Sequence, residues 1–156
     1  EELASERLDA VLTYWPFAAK LEARGMRPLL SIGDALAALG IPGDLPLTGF
    51  VVSARWAAEN QAALDGFLAA SRAANVILAD SDAEWERIAP LTGAAGTAEL
   101  IKLRDAYRNG IPRHWSAAER AAAARLYQLL AKIGGTTLVG SSPDLAPGTF
   151  LDWVQY

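Results

Sequence analysis

The sequence predicts an α/β fold, a few-stranded sheet with a helix-rich C-terminal half. Short apolar, β-branched runs stand at Ala10–Thr13, Arg27–Ser31 and Leu47–Ser53. Helical spacing follows each of the first two, so strand and helix alternate as in a sheet covered by helices. From Ser53 onward the pattern is helical almost throughout.

Taken in order, Glu2–Arg7 reads as the tail of a helix entering the first strand. After Thr13 come Tyr14, Trp15 and Pro16, then a helix whose Phe17, Ala18 and Leu21 share one side and which Gly25 ends. Proline suits the first helical turn, where its missing N–H would be unpaired anyway. Arg27–Ser31 is a second strand, with Pro28 at its start. Gly33–Leu39 forms one or two helical turns, and Ile41–Pro46 is a loop. Leu47–Ser53 (LTGFVVS) is the strongest strand candidate, with Gly49 marking a bend or a close backbone approach.

Ser53 is placed to cap Ala54–Glu59, and Asn60 to cap a long helix over Gln61–Leu78, where Leu64, Phe67, Leu68, Ser71, Ala74 and Leu78 form a stripe expected to face a core. Ser81 with Glu84 reads as a capping box for a helix ending near Pro90. Leu100, Leu103 and Tyr107 space a helix from Thr97 to Asn109, closed by Gly110 and Pro112. Ser116 with Glu119 is a second capping box, opening a helix through Ile133 that Gly134 and Gly135 end. Thr137–Val139 is a last strand candidate, and the remaining tail is loop-like, with Phe150 and Trp153 as apolar anchors.

The totals narrow the function classes. A chain of 156 residues that is 52% hydrophobic and 21% charged folds rather than stays disordered. A net charge of −4 without a basic cluster argues against nucleic acid and anionic membrane surfaces. With no cysteine there is no disulfide, zinc–thiolate site or cysteine nucleophile. No apolar run reaches the roughly 18 residues of a membrane span, and no signal peptide is seen. The chain opens on EELASERLD without Met, so a processed or cut chain with strands upstream is expected.

Candidate chemistry is sparse. His114 is the single histidine, and no second histidine or carboxylate cluster joins it as metal ligand or catalytic base, so it reads as an exposed loop or helix-start residue. Neither a glycine-rich phosphate loop nor a nucleophile elbow is present; Gly140–Ser141–Ser142 lacks the required frame. Glu84, Glu86 and Arg87 read as a solvated helix face; Arg104, Arg108 and Arg113 could attract an anion but, spread over a helix and a loop, read as cations in water. Tyr14 and Trp15 stand where a strand end meets a helix start, the place open α/β sheets put ligands. There they wall a small molecule or else fill a core or an interface. Free N–H groups at the helix start would favour an anion.

The segments LASERLDAVLTYWPFAAKLEARGMRPLLSI and LPLTGFVVSARWAAENQAALDGFLAASRAANVIL, in this order, resemble the C-terminal half of substrate-binding proteins of ABC importers, of the nitrate, sulfonate, taurine and thiamine-precursor type. The resemblance covers Leu3–Leu78 well and the later helices loosely. It implies an incomplete, periplasmic-binding-protein type II-like fold. Residues 1–46 would be the last strand–helix units of the second lobe. Residues 47–156 would be the returning strand and C-terminal helices of the first, with a hinge near Pro46–Gly49. It implies ligand contact by Thr13, Tyr14 and Trp15, a structural role for Asp9, a small-molecule ligand, an ABC transporter permease as partner and a periplasmic location. The family's first-lobe strands have no counterpart in this chain.

The function expected is therefore capture of a small organic molecule, anionic or not, in an interlobe cleft, without catalysis, metal or cofactor. Sulfonate, nitrate, an aromatic acid and a pyrimidine all remain open as ligands. One alternative is an enzyme of thiamine-pyrimidine-synthesis type, which a covalent cofactor on Lys20, Lys102 or Lys132 would favour. The other is an interaction fragment that self-associates through strand edges.

Overall fold

The structure is a computed structural model and describes residues 8–154. The expected helix at Glu2–Arg7 lies outside them. Among the described residues 61% are helical and none lies in a strand. The predicted α/β fold, with its periplasmic-binding-protein type II-like sheet, is thereby overturned, and the fold is all-helical. The elements are α1 (Trp15–Ala23), α2 (Ile32–Ala38), α3 (Ala54–Glu59), α4 (Gln61–Asp80), α5 (Asp82–Thr92), α6 (Thr97–Gly110) and α7 (Ala117–Val139).

The correction has a physical reason. A short apolar run specifies an extended backbone at most; a strand also needs a neighbour to take its N–H and C=O groups. Among the described residues Ala10–Thr13 and Leu47–Ser53 have no such neighbour, and Arg27–Ser31 runs irregularly through a bend; all three stretches are largely exposed. The fourth candidate, Thr137–Val139, is absorbed into α7 beyond a break at Gly135, whose φ of 57° and ψ of −157° leave helical space.

Local signals place the helices well. Ser53 caps α3 through the Trp56 N–H. Ser116 and Glu119 form a complete capping box on α7, and Ser31 with Asp34 forms another on α2 that the sequence reading overlooks. At α5 only half of the expected box forms: the Glu84 N–H reaches Ser81, while the Glu84 carboxylate pairs with Arg87 at 2.7 Å on an exposed face. Asn60 does not cap α4 with its side chain, which donates back to the Trp56 carbonyl. Pro90 lies inside α5, which runs two residues further before Gly93 ends it in the left-handed region.

The chain divides into two compact units. The first takes residues 8–29 and 74–109. Here Arg24, the C-cap of α1, pairs with Glu99 at 3.0 Å, Lys20 donates to the Gly93 carbonyl at 2.6 Å, and Lys102 lies 3.4 Å from Glu22. The second takes residues 30–73 and 110–154. Its core is Leu36, Ile41, Leu45 and Ala122, with Trp115, Leu126 and Leu129 packed against it. Phe150 anchors the tail there, its ring 5.0 Å from Trp115, while Trp153 is exposed.

Helix α4 is long and apolar enough, by length and composition, to cross a membrane. Asp65 and Arg72 lie within it. Each charged side chain near a bilayer centre costs about 2.5–3.5 kcal/mol, which argues against that reading.

Candidate functional site

The aromatic start of α1 is the candidate site. Tyr14 is the N-cap residue, with extended backbone (φ −76°, ψ 154°) and no side-chain capping bond. Its carbonyl accepts from the N–H groups of Phe17 and Ala18, both at 3.0 Å. Thr13, Tyr14 and Trp15 all lie on the surface, Tyr14 at 79% exposure and Trp15 at 50%. These consecutive residues stay together at one helix end, but the end follows an irregular segment rather than a strand of a sheet.

The expected anion preference of this helix start is weakened by its own residues. Pro16 has no N–H to offer, and the Phe17 N–H is taken by Tyr14. The cations of α1 are also committed, Lys20 to Gly93 and Arg24 to Glu99.

Beneath Trp15 lies a support that the sequence reading did not identify. The Trp15 ring is 6.2 Å from that of Tyr107, tilted by 60°, and Tyr107 is 5.4 Å from Trp85, edge to face. Both separations suit aromatic pairs worth about 0.5–1.5 kcal/mol each beyond their area burial. The polar ends are satisfied: the Tyr107 hydroxyl donates to Asn75 Oδ1 at 2.6 Å, and Trp85 Nε1 donates to the Leu78 carbonyl at 2.8 Å. Trp85 is buried and fixes the base of the stack. The signal for this was the spacing of Leu100, Leu103 and Tyr107 on α6; only the fold brings Trp15 to it.

The arginines of α6 are not simply solvated. Arg104 and Arg108 both reach Asp82 at the start of α5, at 3.0 and 2.8 Å, and both are largely shielded from solvent. The Arg108 contact is off-line, an ion pair rather than an aligned hydrogen bond. A side-chain hydrogen bond to Asp105, with the charges of Asp105 and Asp82, raises the Arg104 pKa against the effect of burial. Beside this pair a surface hollow of about 300 Å³ is lined by Trp85, Thr97, Leu100 and Ile101. In the other unit a hollow of about 290 Å³ lies between Leu39–Ile41 and Arg125, Leu129 and Lys132.

His114 is exposed in the irregular segment before α7. Among the described residues no group of three or more histidines, aspartates or glutamates is placed to hold a metal ion. Comparison with protein-family models finds no match for the chain, and comparison with curated proteins finds none either.

Proposed function

We propose that this chain is the solute-binding component of an ABC importer, or part of one, and that it captures a small molecule at Thr13, Tyr14 and Trp15 without converting it. The single observation that carries the reading is the exposed aromatic pair at the start of α1. Surface tyrosine and tryptophan at one point offer contact area at low entropic cost. The resemblance of the segments around Asp9–Pro16 and Leu47–Ala70 supports solute uptake as the setting, with a permease as partner and the periplasm as location. The all-helical fold removes the sheet on which that resemblance also rested, so the reading stands on the motifs and the open aromatics.

Titration calorimetry with taurine, nitrate, benzoate and cytosine tests it. At least one should bind the wild-type chain and be recovered unchanged. Tyr14→Ala and Trp15→Ala should each weaken that binding about tenfold, the loss of one good aromatic contact. Failure of all four to bind, or binding indifferent to both substitutions, would sink the proposal.

A second reading, a self-associating interaction chain, is favoured by a separate observation: Leu47, Phe50 and Val51 form an exposed apolar stretch, with Val51 at 98% exposure.

A further inference from the structure

We infer that Tyr107 is a positioning residue that holds Trp15 as a platform, and that this platform selects a flat ring rather than a small anion. The inference rests on the solute-capture reading above and names the ligand class for the same site.

Helix α1 is tied at two places. Its C-terminal half and cap are held by a hydrogen bond from Lys20 to the Gly93 carbonyl and by the ion pair of Arg24 with Glu99. Its N-terminal end is held by the ring contact of Trp15 with Tyr107. Tyr107 is itself fixed from two sides, by Asn75 on its hydroxyl and Trp85 on its ring. Trp15 therefore has one part of its surface against a braced ring and half of its area open. A side chain already ordered loses less freedom on meeting a ligand, which favours binding.

The charge arrangement decides the ligand class. A sulfonate or nitrate needs N–H donors or a free cation. Pro16 and the Tyr14–Phe17 bond reduce the donors, and the cations of α1 are engaged elsewhere. What this surface offers is two aromatic rings, and those suit a planar partner stacked or set edge-on.

The test uses the full chain labelled with 5-fluorotryptophan and read by ¹⁹F NMR, the Trp15 line being identified by its absence in Trp15→Phe. Tyr107→Leu should shift or broaden the Trp15 line without any ligand, while the lines of Trp56, Trp115 and Trp153 hold. Tyr107→Phe, which keeps the ring, should restore most of the wild-type line. Benzamide and cytosine should move the Trp15 line at concentrations at least fivefold below those needed for taurine or nitrate, and Tyr107→Leu should weaken benzamide at least fivefold. An unchanged Trp15 line in Tyr107→Leu overturns the positioning role. If Tyr107→Leu fails to fold, a ¹⁹F–¹H Overhauser contact between the Trp15 label and the position-107 ring, read in the wild-type chain and in Tyr107→Phe, decides: its presence in both supports the role, and its absence from the wild-type chain overturns it. Tighter binding of taurine or nitrate at Trp15 overturns ring selection and leaves solute capture standing. Silence of the Trp15 line toward all four probes overturns both.

Discussion

Glu99 joins two elements through a single carboxylate. It is buried, accepts the Ala95 N–H at 3.0 Å and takes the Arg24 guanidinium on its other oxygen. The Ala95 hydrogen bond and then that of Arg24, aided by the charges of Arg24 and Lys20, hold its pKa below the ordinary glutamate range, burial opposing them. A depressed folded pKa means the unfolded chain takes up the proton first as pH falls. The stabilisation is thus fully present above the unfolded value of about 4.3 and is lost as pH drops through the lower folded value. Acid unfolding followed by circular dichroism should show a shallower acid limb in Glu99→Gln, and a limb as steep as wild type would contradict this. Asp34 and Glu119 are lowered in the same direction by their capping hydrogen bonds to Ser31 and Ser116, so part of the acid limb remains in that variant.

Among the elements, the short helix α2 depends on a close backbone approach. A Cβ added at Gly33 would lie 2.9 Å from the Gly43 carbonyl oxygen, and one at Gly43 would lie equally close to that of Gly33. Backbone cannot turn aside as a flexible side chain can, so Gly33→Ala must push α2 away from the turn before Leu45. It should cost about 1–3 kcal/mol, in the range of overpacking. Gly66 is the internal contrast: it lies within α4 with nothing near its missing Cβ. Gly66→Ala should stabilise by up to about 1 kcal/mol through helix propensity alone. Urea titrations of the two variants check both signs, and a neutral Gly33→Ala would show that the approach is not tight. In α7 the irregular Gly135 marks where the sequence suggested an end; the helix resumes beyond it, and the Tyr127 hydroxyl donates to the Val139 carbonyl at 2.8 Å across that last turn.

For the molecule as a whole, apolar side chains remain on the surface of each unit. Leu12 and Leu91 are almost fully exposed in one, Leu47, Phe50 and Val51 in whole or large part in the other. Exposed apolar side chains of this kind invite contact with another chain. Sedimentation velocity should show an average mass that rises with concentration into the tens of micromolar, and Val51→Lys should suppress the rise. A wild-type chain that sediments as a monomer throughout would remove the self-association reading and leave solute capture untouched.

Much of the secondary structure was legible without coordinates. The caps at Ser53 and Ser116 and the Gly25 end of α1 are contacts within three or four residues, and these follow from the local order of side chains, whereas only Leu64 of the α4 stripe is buried and Gly135 does not end α7. The site was legible only as three adjacent residues, Thr13, Tyr14 and Trp15. What the tertiary structure alone decided lies at long sequence separation: that Ala10–Thr13 and Leu47–Ser53 find no strand to pair with, that Arg104 and Arg108 converge on Asp82, and that Tyr107 comes to lie against Trp15. The physical reason is the range of the interactions. A helix closes its own hydrogen bonds and can be read from its own residues, whereas a sheet or a ring stack exists only when distant segments meet.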